Sequence, residues 1–433
     1  MKKKFYGIIA VFLAAATVAS FAGCAKKNNQ SSSSQSGNVK PVSAGSATDL
    51  LKNAEMLNFE GTIEDTNVDP LYTDFAVRLA QNTNKDGENF YISPISVMYG
   101  LTLAANGAHG DTLTQFEKTL GGSTYTLNRY FYFAMEGEYQ NDSAKFNIGN
   151  SLWINSMTGY KPDKKYLNDA RTFFDAAVLY DDFENVGDNM GTWLKSKGVA
   201  QNTKFIPEAT DSMTSVNSLA LTADWSTYFT ESATKTEKFT GSDGKQSDVD
   251  MMNGYAEYYI KDNKSEGFTK TFDGNCYGFA AIMPNEGVSI EDYIKSMTGK
   301  NLTNMFKSAE QKDIAVAVPK FSQTTDYSFK DTLTKMGITD AFDSDKADFI
   351  AMGTADTDLY LSNVIGEAEI SVNEKAINKN PGTTKKITSM RADKKITLNR
   401  PFVYVIYDLS SKIPKYIGAY KRGWLKSEKE PAS

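Results

Sequence analysis

Val372-Asn373-Glu374, then twenty-one residues from Lys375 to Lys395, then Ile396-Thr397-Leu398-Asn399-Arg400-Pro401-Phe402: this stretch decides how the chain is read. The interval runs Lys-Ala-Ile-Asn-Lys-Asn-Pro-Gly-Thr-Thr-Lys-Lys-Ile-Thr-Ser-Met-Arg-Ala-Asp-Lys-Lys. It is polar, basic and broken by Pro381-Gly382, so almost none of it suits a packed core. Alternating strands flank it, Ala368-Glu369-Ile370-Ser371-Val372 before and Phe402-Val403-Tyr404-Val405-Ile406-Tyr407 after. Loops longer than about 12–15 residues are uncommon inside compact domains and usually carry function. The loop, rather than a pocket, is therefore where function is expected.

Outward from that stretch, the composition is that of an ordinary globular protein: 433 residues, 40% hydrophobic, 23% charged. A net charge of −6 supplies no basic face for nucleic acid. The N-terminus carries an address. Lys2-Lys3-Lys4 precedes the apolar run Phe5 to Ala22, and Ala22-Gly23-Cys24 follows, the layout of a secretory signal. Cys24 directly after Gly23 resembles the lipobox of bacterial lipoproteins, in which that cysteine is acylated and becomes the mature N-terminus. On this reading residues 1–23 are a signal peptide, and Cys24 anchors the protein at the outer face of the bacterial cytoplasmic membrane, through the two lipid signals stable attachment needs. Residues 24–66, rich in serine at the start, read as a flexible tether. Two cysteines, one of them given to the lipid, leave no disulfide framework; stability must come from a core, and the chain is long enough to bury one.

Folded structure is expected from about residue 67. Asp69-Pro70 opens a helix with Leu71, Phe75 and Leu79 on one stripe. Phe90-Tyr91-Ile92 reads as a short strand, and Ser93-Pro94 starts a second helix that stops at Asn106-Gly107. Helical patterns continue over Leu113 to Leu120, Lys164 to Phe174 and Met190 to Lys197; strand-like runs dominate afterwards. Early helices followed by mostly antiparallel strands predict an α+β fold in one domain, 67–425, with a tail at 426–433.

The chain argues against an enzyme. His109 is the only histidine, so a Ser-His or Cys-His nucleophilic system has a single candidate base, and it sits in an Asn-Gly-Ala-His-Gly turn. Ser232-Ala233-Thr234-Lys235 has Ser-x-x-Lys spacing but no Ser-Asp-Asn or Lys-Thr-Gly companion. No phosphate loop, paired Cys-x-x-Cys or metal-ligand set is present, and neither cofactor nor metal is expected.

Taken in order, the segments resemble the serpin family. Asn89-Phe90-Tyr91-Ile92-Ser93-Pro94-Ile95-Ser96, then Asn106-Gly107-Ala108-His109-Gly110-Asp111-Thr112 and Leu120-Gly121, look like its first two helices. Asn217 with Ala223-Asp224-Trp225-Ser226-Thr227-Tyr228-Phe229 is similar to the family's strand pair and breach. Phe239, Met251-Met252, Met283-Pro284, Val318-Pro319-Lys320-Phe321, Met336-Gly337-Ile338, Phe342, Ala347-Asp348-Phe349 and Asn399-Arg400-Pro401-Phe402 follow in family order. No single motif decides; a dozen in sequence do, over residues 68 to 424.

The resemblance implies a large central mixed or antiparallel sheet, two smaller sheets, about nine helices and an exposed reactive-centre loop. It implies a metastable, monomeric suicide substrate: a protease cuts the loop, the upstream arm inserts as a new strand, and the acyl-enzyme is trapped. By family loop length the scissile bond is Met390-Arg391, with Arg391-Ala392 as the alternative. Met390 suits serine proteases of chymotrypsin, elastase or subtilisin type, ahead of trypsin-like or cysteine proteases. The hinge is Glu374, Lys375, Ala376, Ile377, Asn378 and Lys379, and Ser93, Ser96, Asn217 and Trp225 fall in the shutter and breach.

An inserted strand must alternate, and the family register turns Ile377, Lys379, Pro381, Thr383, Lys385 and Ile387 inward. Lys379 and Lys385 then bury ammonium groups, and Pro381 removes a ladder donor. Ala376 replaces the usual Gly, Ile377 the usual Thr or Ser, and Gly366 stands where many serpins carry a shutter histidine. The alternative is thus a non-inhibitory serpin or protease substrate, a surface binding module whose basic loop (Lys375, Lys379, Lys385, Lys386, Arg391, Lys394, Lys395) holds an acidic ligand.

Overall fold

The structure, a computed structural model, describes residues 44–60, 66–137, 144–174, 176–198, 204–378 and 391–423. Nine helices occur among these: α1 (Asp69–Thr83), α2 (Pro94–Ala105), α3 (Gly110–Leu120), α4 (Thr124–Gly137), α5 (Lys164–Phe174), α6 (Val186–Ser196), α7 (Ile290–Ser296), α8 (Gly299–Lys307) and α9 (Lys330–Met336). The start of α2 follows from its first residues. Ser93 caps it by accepting the Ser96 N–H, and Pro94 occupies the first turn, where no amide donor is needed. Every residue of α2 is buried, which suits a helix apolar on all sides and enclosed by the core.

The central sheet has seven strands in the order β1 (Thr48–Asp49), β5 (Ala177–Asp181), β3 (Ala144–Asn155), β6 (Met213–Asp224), β15 (Ala376–Ile377), β14 (Leu361–Val372) and β12 (Phe321–Ser328). Its pairings are mixed: β3 runs antiparallel to β6, while β6 and β14 run parallel. A second sheet follows the order β16 (Lys394–Thr397), β11 (Glu310–Pro319), β8 (Gln246–Lys261), β9 (Ser265–Thr271), β10 (Tyr277–Pro284), β17 (Phe402–Asp408), β18 (Pro414–Tyr420) and β2 (Phe90–Ile92), with β7 (Lys235–Thr240) paired to β8. The third sheet is the short pair β4 (Lys161–Pro162) and β13 (Gly353–Thr354). Three sheets and nine helices agree with the expected α+β architecture, although the second sheet has more strands than the central one.

Two apolar clusters sandwich the central sheet. The larger takes in α2 and inward residues such as Val364, Ala368, Ile370 and Val372 of β14. The smaller lies under α6, where Met190, Trp193 and Leu194 pack on Trp153, Val216 and Ile365.

Part of the span predicted as tether, 24–66, is docked on the domain. Residues 44–60 lie against the domain: β1 adds to the edge of β5, with Thr48 opposite Tyr180. Arg171 donates to the Leu51 carbonyl, and the Phe59 ring lies 5.1 Å from Phe173. The sequence hides this because the docked segment has no periodicity of its own and borrows its strand from a neighbour 130 residues away.

Candidate functional site: the mouth of the central sheet

β6 and β14 are paired neighbours in the central sheet. Low in the sheet they are zipped together in parallel, from Leu361 opposite Met213 to Glu367 opposite Ser218. At the top they are apart, and β15 lies between them. Ile377 pairs with Val372 on one side and Ala223 on the other, and Ala376 pairs with Asp224. β15, within the expected hinge, is thus a two-residue strand paired on both sides.

Glu374, Lys375, Ala376 and Ile377 are all buried. Ile377 joins the main apolar cluster with its register partners Val372 and Ala223, whereas Ala376 does not. Position 377 therefore faces inward, as the carried-over register predicts, and position 376 faces the other way.

Asn373 makes the turn that sends the chain back. Its side-chain oxygen accepts the amides of Lys375 and Ala376 at 3.0 and 3.1 Å, a local bond for which asparagine is suited. Glu374 is held by Lys320 Nζ at 3.1 Å and the Thr234 hydroxyl at 3.0 Å. Burial alone would raise the Glu374 carboxyl, but hydrogen bonds from its own backbone, Lys320 and Thr234, with the Lys320 charge, hold it below the usual carboxylate value. Lys375 pairs with Glu231 at 3.1 Å.

Trp225 closes this end. Its indole donates to the Asn373 carbonyl at 2.9 Å, and its amide donates to Lys375 O at 2.9 Å. The ring stacks on Phe272 at 5.0 Å. Beside it lies Lys270, with Nζ 2.6 Å from the Tyr255 carbonyl, 4.9 Å from the Phe229 ring centroid and 5.8 Å from that of Trp225. Burial pushes the Lys270 ammonium down to about 8, against the pull of Glu257. Its sequence context gave no sign of this lysine; only the fold turns it into the core.

Beneath the zipped segment sit Ser93, Ser96 and Asn217, all buried. Asn217 donates to Ser215 Oγ at 3.0 Å and to the Ile365 carbonyl at 3.3 Å, tying β6 to β14. Its side chain fits against α2 because position 100 is glycine; a Cβ there would lie 1.9 Å from the Asn217 oxygen. Ser96 Oγ donates to Ser93 O at 3.0 Å, and Ser93 Oγ to Lys415 O at 3.3 Å. No direct bond joins either serine to Asn217; Asn150, its partner across β3 and β6, donates to the Ser96 carbonyl in the amide orientation its neighbours require. Gly366 leaves space that the Phe329 ring fills, with Cε2 2.4 Å from where a Cβ would stand.

The described chain resumes at Arg391, which is exposed, and enters β16 at Lys394, parallel to β11. Lys394 pairs with Glu266 and donates to the Tyr259 hydroxyl at 3.0 Å. Two members of the supposed basic ligand surface, Lys375 and Lys394, are thus engaged within the molecule. Met390, Lys379, Pro381 and Lys385 lie outside the described residues, as does Cys24. Cys276 is buried. His109 is an exposed turn residue whose Nδ1 lies 2.9 Å from Asp348. Thr234 of the Ser-x-x-Lys pattern bonds Glu374.

The serpin (serine protease inhibitor) family profile matches residues 70–422. Iripin-5 of the tick Ixodes ricinus is 26% identical over 362 residues, covering 78% of this chain and 90% of its own. An uncharacterized serpin-like protein of the archaeon Methanosarcina acetivorans is 23% identical, covering 82% and 86%. Among solved structures, native tengpin, a thermophilic serpin, superposes with a TM-score of 0.82 at 31% identity over 87% of this chain and all of its own. Its latent state scores 0.71 at 30% identity, over 85% of this chain and 99% of its own. Serpins are in general inhibitors that bind proteases rather than enzymes, and this chain, matched over most of its length and sharing the architecture, belongs to the serpin family.

Proposed function

We propose that this serpin inhibits serine proteases of chymotrypsin, elastase or subtilisin type as a suicide substrate, with Met390-Arg391 as the reactive bond. One observation carries the reading: β6 and β14 are parted at the top by a hinge in strand register and closed below it. A strand that has begun can lengthen by residue pairs, each step exchanging a β6–β14 pairing for two pairings to the incoming arm. Loop insertion releases stored strain, and Ile377 already occupies an inward site.

The work is done at the cell surface, by a monomer held through a lipid on Cys24 and a linker ending near residue 44. Partners are exogenous proteases; neither nucleic acid nor a cofactor enters. A second reading rests on the extended backbone ending at Asn378, one residue ahead of Lys379. Burying Lys379 and Lys385 inward costs several kcal/mol each unless they are neutralised, and if deacylation outruns insertion the protein is cleaved as a substrate.

Mixing the full chain with chymotrypsin and separating the products in SDS decides between them. A covalent complex, with a released peptide beginning at Arg391, supports inhibition at the proposed bond. Two fragments and an active protease support the substrate reading, and a peptide beginning at Ala392 moves the bond by one residue.

A further inference from the structure

Asn378 follows the last residue of β15. Its φ is +54°, in the left-handed region that asparagine tolerates better than most residues. There the backbone leaves the extended conformation of the strand. The side chain, however, stays in the slot and makes three hydrogen bonds. Asn378 Nδ2 donates to the Leu221 carbonyl of β6 at 2.8 Å and to the Glu369 carbonyl of β14 at 2.9 Å. Its Oδ1 accepts the Ser371 amide at 2.5 Å, while its own amide donates to Ser371 O at 2.9 Å.

Register explains what these bonds replace. Ile377 sits level with Val372 and Ala223, so in a lengthened strand Lys379 would be level with Leu221, and Asn380 with Glu369. Donation alternates between the two neighbours along an antiparallel strand. The Lys379 amide would therefore donate to Leu221 O, and the Asn380 amide to Glu369 O. One carboxamide already satisfies both carbonyls, and its oxygen takes the place of the Asn378 backbone carbonyl toward Ser371. Asn378 caps a two-residue strand much as a side chain caps a helix. It does so immediately before the first lysine that lengthening would bury.

We propose that Asn378 is a positioning residue, a strand cap that holds the hinge half inserted and must let go before the cut loop can enter. For its effect on the reaction this rests on the inhibitory reading above; for its effect on the uncut protein it does not. Insertion requires Asn378 to pass from the left-handed to the extended region and to surrender both carbonyls to backbone amides. The cap lowers the energy of the waiting state, so it slows insertion in the race against deacylation.

The test uses full-length wild type with N378D, N378G and N378A. Asp keeps the acceptor and the tolerance for positive φ but loses both donors; Gly keeps the backbone freedom alone; Ala loses that as well. Hydrogen exchange of the uncut proteins is read over residues 374–378. Two lost hydrogen bonds correspond to exchange roughly ten- to thirty-fold faster in N378D; N378G, which loses all three, should exchange faster than that and N378A faster still, with β3, β5 and β12 unchanged. With chymotrypsin, the ratio of covalent complex to cleaved serpin should rise several-fold in N378G. Exchange within two-fold of wild type in both N378D and N378G overturns the cap. Faster exchange with an unchanged complex ratio overturns its role in insertion. If wild type neither forms a complex nor gains heat stability on nicking, the inhibitory reading fails, and the exchange comparison still judges the cap.

Discussion

Lys270 is an ammonium placed where the native state can least accommodate it, and Lys270→Met makes that cost measurable. Its side chain lies beside Phe229 and Trp225, fully buried, with the ionisation lowered from 10.5 to about 8. Desolvation is the main cause, since burial disfavours the charged form. That depression corresponds to about 3 kcal/mol of native-state instability at pH 7. The sign follows from proton counting. Between pH 8 and 10.5 the unfolded chain keeps the Lys270 proton while the folded chain has lost it, so wild-type stability rises with pH through that window. Methionine removes the charge but also the bond that Nζ donates to the Tyr255 carbonyl at 2.6 Å, at about 1–3 kcal/mol. The expected outcome is a variant about 0–2 kcal/mol more stable than wild type at pH 7, with the difference shifting toward wild type near pH 10. The difference between the two proteins in the first urea transition, measured from pH 6 to 10, isolates this one group. A difference that stays flat across that range refutes the argument.

Lys320→Ala leaves the buried Glu374 carboxylate with Thr234 and backbone donors only, and should cost about 1–2 kcal/mol at pH 7. Because Glu374 has a lowered folded value, the pair's contribution is present above about pH 4.5 and fades as pH falls through that folded value, so wild type and variant should converge in acid melts. Gly366→His, which installs the residue common in the family, drives a side chain into the Phe329 ring and should cost about 1–3 kcal/mol through overpacking. The same change in a Phe329→Ala background should cost less, which a double-mutant cycle in urea would register as coupling. Mass spectrometry of the membrane-extracted protein should find a lipid mass on the N-terminal peptide at Cys24, and an unmodified peptide there would remove the anchor.

Where local rules act, the sequence was legible. Ser93-Pro94 starts α2 and Asn106-Gly107 ends it, because a cap and a proline need no distant partner. The Lys164 to Phe174 periodicity is α5 as read. The aromatic run Tyr125 to Phe133, which shows no clean stripe, is nonetheless α4; tertiary burial, not pattern, makes it a helix. β15 was illegible for a sharper reason. Ala376-Ile377 has no period, and its strand character comes wholly from Ala223 and Val372, more than 150 positions away in one case. Likewise Asn378 reads as a loop residue until two carbonyls from separate strands are seen around its amide. The inward register of position 377, by contrast, came correctly from family loop length, because a two-residue repeat leaves only two choices.

Melting the protein before and after a single cut in the loop tests the central claim most directly. The account predicts that cleavage near Met390 lets the arm continue from Ile377 between β6 and β14, raising the melting temperature on the order of tens of degrees. A nicked protein that melts with the intact one, its residues beyond Asn378 still exchanging freely with solvent, would contradict it.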